Sequence, residues 1–102
     1  MAKIKNLKIQ KGEISKFCKK NHIRKLSIFG SALRKDFSPE SDVDVLVEFE
    51  PDTRVGLIRL AGLEIELGRI IGRKVDLNTI GFINKYYRES VLAESEIQYD
   101  AA

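Results

Sequence analysis

Asp42 and Asp44 stand one residue apart in SDVDVLVEF (41–49), a run whose apolar positions otherwise read as a buried strand. Side chains alternate along a strand, so Asp42 and Asp44 share one face while Val43, Val45 and Val47 take the other. A third carboxylate, Asp76, lies between Val75 and Leu77 in KVDLN (74–78). If that segment pairs beside the first strand, Asp76 joins the other two. Like charges so close repel, and gathering them is costly without a positive partner. Mg²⁺ suits such a site, because it takes one or two carboxylates and fills its other positions with waters and substrate phosphates. Two such ions, about 3.5–4 Å apart, can hold both the attacking and the leaving oxygen of a phosphoryl displacement.

A phosphate-binding half lies ten residues upstream, in FGSALRKD (29–36). Gly30 has no side chain, so its backbone can approach a phosphate closely. Ser31 offers a hydroxyl and is a good first residue for a helical turn whose free N–H groups favour anions. Arg34, one turn on, can neutralise phosphate charge. Gly-Ser pairs and Asp-x-Asp runs are each common in surface segments. Their combination, with a later strand bearing one more Asp, points to a site for a nucleoside triphosphate and its metal ions.

The elements that must position these residues are legible from periodicity. Ile14, Phe17 and Cys18 predict a helix over 12–22. KLSIF (25–29) is a short apolar strand that stops at Gly30, and 31–36 is expected to form a helical turn. FSPESD (37–42) is a loop, and 42–49 is a strand. Leu60, Leu63, Leu67, Ile70 and Ile71 share one face of an amphipathic helix over 57–71 that ends near Gly72. A third strand covers 74–78. A last helix is expected over about 82–97, with Tyr86, Val91, Leu92 and Ile97 available for packing. Tyr86, Tyr87 and Tyr99 are read as core residues, with an interface as the alternative. The expected fold is α/β (α+β), one domain over residues 1–102: a small mixed sheet with helices mostly on one face.

Composition fits that reading. The 102 residues are 43% hydrophobic and 32% charged, enough for one core and no second domain. Lys and Arg outnumber Asp and Glu by 18 to 15, with the excess gathered before residue 26, where Glu13 is the sole acid. That basic segment reads first as a solvated face, with nucleic acid or an acidic partner as the alternatives. One cysteine, Cys18, excludes an internal disulfide and reads as a small buried hydrophobe. One histidine, His22, has no companions for a zinc set and reads as a helix-end residue. There is no membrane-length apolar run and no secretory leader pattern, so a cytoplasmic protein is expected.

Gly30, Ser31, Asp42, Asp44 and Asp76 together resemble the signature of the DNA polymerase β-type nucleotidyltransferases. The chain is most similar to the minimal nucleotidyltransferases, or MNT proteins, from roughly residue 12 to 99. The resemblance implies that Gly30 and Ser31, with Arg34, hold the triphosphate of ATP. It implies that Asp42 and Asp44 bind Mg²⁺, and that Asp76 completes the metal site and serves or positions the base. The implied reaction is in-line attack of a hydroxyl on the α-phosphate with loss of pyrophosphate. It also implies a HEPN-domain toxin as partner, with AMP transferred to a toxin tyrosine and this chain acting as antitoxin. One departure is visible: many members read Gly-Ser-x-Ala-Arg-Gly, whereas here Leu33 replaces Ala and Lys35 replaces Gly. Two further readings stand beside this one. The chain could neutralise a HEPN partner by binding alone, or transfer nucleotides to RNA or a small molecule.

Overall fold

The computed structural model describes residues 10–30, 42–80 and 85–101. Its first element is α1 (Lys11–Lys20), which buries Ile14, Phe17 and Cys18 at the spacing read from the sequence. Glu13 in the first turn and Lys19 and Lys20 in the last complement the helix dipole. Asn21 ends the helix: its backbone N–H and its Nδ2 both donate to the Phe17 carbonyl, at 3.2 and 2.9 Å. His22 follows with φ +57°, so the chain reverses directly after the helix end.

β1 (Ile23–Phe29) runs antiparallel to β2 (Val43–Phe49). The β2 strand leaves through a turn at Glu50–Thr53 closed by Thr53 N–H donating to Glu50 O at 3.1 Å, with Asp52 at φ +68°. Then comes α2 (Leu57–Ile71), which ends where Gly72 takes φ +78° and its N–H donates to Gly68 O at 2.8 Å. A residue with a Cβ pays for that left-handed conformation, so the glycine stops the helix cleanly. β3 (Val75–Thr79) returns parallel to β2.

The tail departs from expectation. In place of one helix to residue 97, α3 (Lys85–Glu94) is followed by β4 (Glu96–Asp100). β4 pairs antiparallel with β1, giving the sheet order β3-β2-β1-β4. The free edge of β1 offers backbone donors and acceptors that a terminal strand can satisfy, and Ala101 N–H extends the pairing to Arg24 O at 2.9 Å. The expected helical turn at 31–36 lies outside the described residues.

Val43, Val45, Val47, Val75, Leu77, Leu26 and Ile28 form one sheet face. They pack against Phe17 of α1 and Leu63, Leu67 and Ile71 of α2 in a single core. Tyr99 packs against this core, but α3 buries no residue and Tyr86 and Tyr87 are exposed. The expectation of core packing therefore holds for Tyr99 and fails for Tyr86 and Tyr87. Cys18 is fully buried, and burial pushes its thiol pKa up to about 12.

Candidate active site

The antiparallel β1–β2 pair places the end of β1 beside the start of β2. The parallel β2–β3 pair places the starts of those two strands together. Phe29 stands opposite Asp44, and Asp44 opposite Asp76 in the parallel register. Directly paired residues on adjacent strands point to the same face, so Asp44 and Asp76 are lateral neighbours. Asp42 immediately precedes β2 and, by strand alternation, shares that side. All three lie on the face turned away from α1 and α2. Asp42 and Asp44 are half-buried and Asp76 is exposed.

Gly30 meets this cluster from the end of β1. Its φ is +74°, and a Cβ built there would lie 3.1 Å from Asp44 Cγ and overlap Oδ2. The missing side chain therefore makes room for the Asp44 carboxylate. The sequence reading gave Gly30 to phosphate; the geometry gives it this second duty as well. Ser31 and Arg34, with Leu33 and Lys35, lie outside the described residues.

Two supporting residues went unremarked in the sequence. Glu64 of α2 accepts a hydrogen bond from Leu77 N–H through Oε2 at 2.8 Å, pinning β3 one residue past Asp76. Asn78 Nδ2 donates to the Asp76 carbonyl at 3.0 Å. A signal for Glu64 existed: it is a carboxylate on the flank of a helical face otherwise made of Leu60, Leu63 and Leu67. A charge at such a place needs a donor.

The donor set is hard oxygen and suits Mg²⁺, which asks for only one or two carboxylates from protein. Among the described residues no three His, Cys, Asp or Glu side chains converge as a ready-made metal cluster. The Asp44–Asp76 pair supplies the adjacent carboxylates, with Asp42 next along the chain. Among the same residues, no helix is long and apolar enough to cross a membrane.

A family description of the nucleotidyltransferase domain matches residues 11–98. The chain belongs to the nucleotidyltransferase domain family. Nucleotidyl transfer is thus the chemistry of this enzyme scaffold. A relative from Thermococcus cleftensis named protein adenylyltransferase MntA is 33% identical over 72 residues, covering 71% of each chain. A solved toxin–antitoxin structure with AMP-PNP superimposes with a TM-score of 0.73 at 18% identity, over 90% of this chain and 74% of the other. A Shewanella oneidensis structure of a tri-AMPylated HEPN toxin with its MNT antitoxin gives a TM-score of 0.65 at 18% identity, over 88% and 69%. At that identity the likeness is one of fold.

Proposed function

We propose that this nucleotidyltransferase moves AMP from ATP to a hydroxyl, a tyrosine hydroxyl, of a HEPN-domain toxin, and so acts as its antitoxin. The observation that carries the reading is the in-register pair Asp44–Asp76 with Gly30 packed against Asp44. The relative's name supports protein as the acceptor class, and the AMPylated toxin in the Shewanella complex supports the HEPN partner.

In this reading Asp42, Asp44 and Asp76 hold Mg²⁺, which when bound would offset the charge that develops on the phosphates. Gly30, Ser31 and Arg34 receive the triphosphate. The exposed Asp76 accepts or directs the proton of the attacking hydroxyl. The tyrosine oxygen forms a bond to the α-phosphorus, and the bond from that phosphorus to the β-phosphate bridging oxygen breaks. Pyrophosphate leaves, and the phenolic proton passes to the carboxylate. No redox partner is required.

The test combines the protein, labelled ATP, Mg²⁺ and the HEPN-domain protein from the same genome, with label followed by gel and intact mass. The expected result is addition of AMP to the partner, abolished by Asp44→Asn at unchanged melting temperature. Undiminished transfer by that variant would sink the assignment of Asp44.

A further inference from the structure

The helix that links β2 to β3 carries a second face that the core does not use. Ile58 is 92% exposed, Leu57 73% and Ile65 60%. Ala61 and Gly62 are also exposed: Ala61 lies one turn from Leu57 and from Ile65, and Gly62 one turn from Ile58 and from Ile65. Two small residues flanked by large aliphatic ones form a notch that can seat a side chain or a helix. The ridge continues into an open groove of about 460 Å³ between the second half of α2 and the start of β3. Ile65, Gly68 and Val75 line it together with three cations, Arg69, Arg73 and Lys74, and one acid, Glu64.

Charge decides what fits there. Arg59 and Arg69 of α2 and Lys74 just before β3 are exposed beside the apolar ridge. Of the two acids of α2, Glu64 lines the groove but its Oε2 accepts from Leu77 N–H, and Glu66 meets Lys20 of α1 at 2.6 Å. The result is an aliphatic strip in a positive frame. A second copy packed through this face would set that frame against itself, and like charges across an interface are costly. Nucleic acid would be attracted by the frame, but the strip has no aromatic ring on which a base could stack. An amphipathic helix with an aliphatic stripe and carboxylates along its flanks matches both features, as helices do when they dock in apolar grooves.

We propose that the outer face of α2 is the docking surface for an acidic amphipathic helix of the HEPN partner, a proposal that rests on the function proposed above. Docking here leaves the Asp44–Asp76 face open, because the two lie on opposite sides of the sheet. The partner is thus held by a surface separate from the one that modifies it.

The experiment measures the affinity of the full chain for the HEPN-domain protein from the same genome by calorimetry, at low and high salt. Two variants are compared with wild type: Ile58→Glu combined with Ile65→Glu, and Arg69→Glu combined with Lys74→Glu. All four side chains are exposed, so melting temperatures are expected to stay unchanged. Each double variant is expected to weaken binding on the order of thirtyfold, the loss typical of an interface hot spot. Wild-type binding should weaken with salt, and hydrogen exchange across 57–69 should slow in the complex. Wild-type affinity in both variants, with AMP transfer intact, overturns this docking surface alone and leaves the proposed activity standing. Neither binding nor labelling by wild type overturns both. A wild-type homodimer that the isoleucine variants convert to monomer assigns the face to a second copy and overturns the proposal. Binding of an RNA oligonucleotide that only the Arg69–Lys74 variant loses, with partner affinity unchanged, overturns it too.

Discussion

Replacing Gly30 by Ala separates the roles of backbone and carboxylate at the site. Gly30 holds φ +74°, and an L-residue there loses about 1–2 kcal/mol, of which a smaller unfolded-state entropy of alanine returns about 0.4–1 kcal/mol. The new Cβ would also stand 3.1 Å from Asp44 Cγ and overlap its Oδ2, so the carboxylate must turn. An off-rotamer side chain costs about 0.5–1.5 kcal/mol. The sum is roughly 1–3 kcal/mol, measured by urea unfolding. In an Asp44→Ala background the carboxylate is gone and the remaining Asp44 Cβ contact of 3.4 Å is ordinary packing. There Gly30→Ala should cost only its backbone part, leaving a coupling of about 0.5–1.5 kcal/mol in the double-mutant cycle. Equal costs in both backgrounds would refute the argument that Gly30 makes room for Asp44. Activity gives a second reading. A displaced carboxylate should lower AMP transfer about a hundredfold, the loss expected for a misplacement near 1 Å.

Further outcomes follow from the supports of the site and from the core. Glu64→Ala leaves Leu77 N–H without its carboxylate acceptor, which should cost about 1–3 kcal/mol, speed amide exchange at Leu77 and lower activity; Glu64→Gln should recover part of each. Cys18 has its thiol pKa raised from 9.0 to about 12 in the folded chain, so the folded state keeps a proton that the unfolded state has lost between those values. The stability this contributes is fully present below pH 9 and lost as pH rises toward 12. Over that window unfolding free energy should fall by about 1.4 kcal/mol per pH unit more steeply in wild type than in Cys18→Ala, as read from urea midpoints.

The parts of the fold that local pattern controls were legible. The helix over 57–71 has its observed bounds because the apolar spacing of Leu60, Leu63 and Leu67 is unbroken and Gly72 can take the left-handed turn that stops it. The alternation of Val43, Val45 and Val47 placed Asp44 on the opposite face from the core. What local pattern does not control was missed. SVLAESEI (90–97) reads as continuous helix because nothing in it breaks the helix strongly, yet Glu96–Asp100 is a strand. Its reason to extend is the unpaired edge of β1, some seventy residues away along the chain. Exposure of Tyr86 and Tyr87 was invisible for a related cause: large aromatic residues on a helix announce burial, but α3 buries none of its residues. The register of Asp76 against Asp44 also lay beyond pattern. A slip of one residue would turn Asp76 toward the core. Glu64, which helps fix that register at Leu77, belongs to a different element.

The length of α2 explains why the third carboxylate arrives where it does. A parallel return requires the connection to travel back along the strand it left. β2 has seven residues, about 23 Å at the usual rise of a strand. α2 has fifteen, about 22 Å at the rise of an α-helix. The helix therefore hands the chain back at the level where β2 began, and Val43 N–H donating to Lys74 O at 2.8 Å closes the match. Two residues later comes Asp76, opposite Asp44. A helix one turn shorter would fall about 5.4 Å short, more than the rise of one strand residue, and would leave the Asp44–Asp76 pair out of step. Asp42 and Asp44 are adjacent through strand periodicity alone, but the pairing with Asp76 depends on a helix that packs on the other side of the sheet. The apolar ridge on its outer side gives that same helix a free surface for a partner without disturbing the length that sets the register.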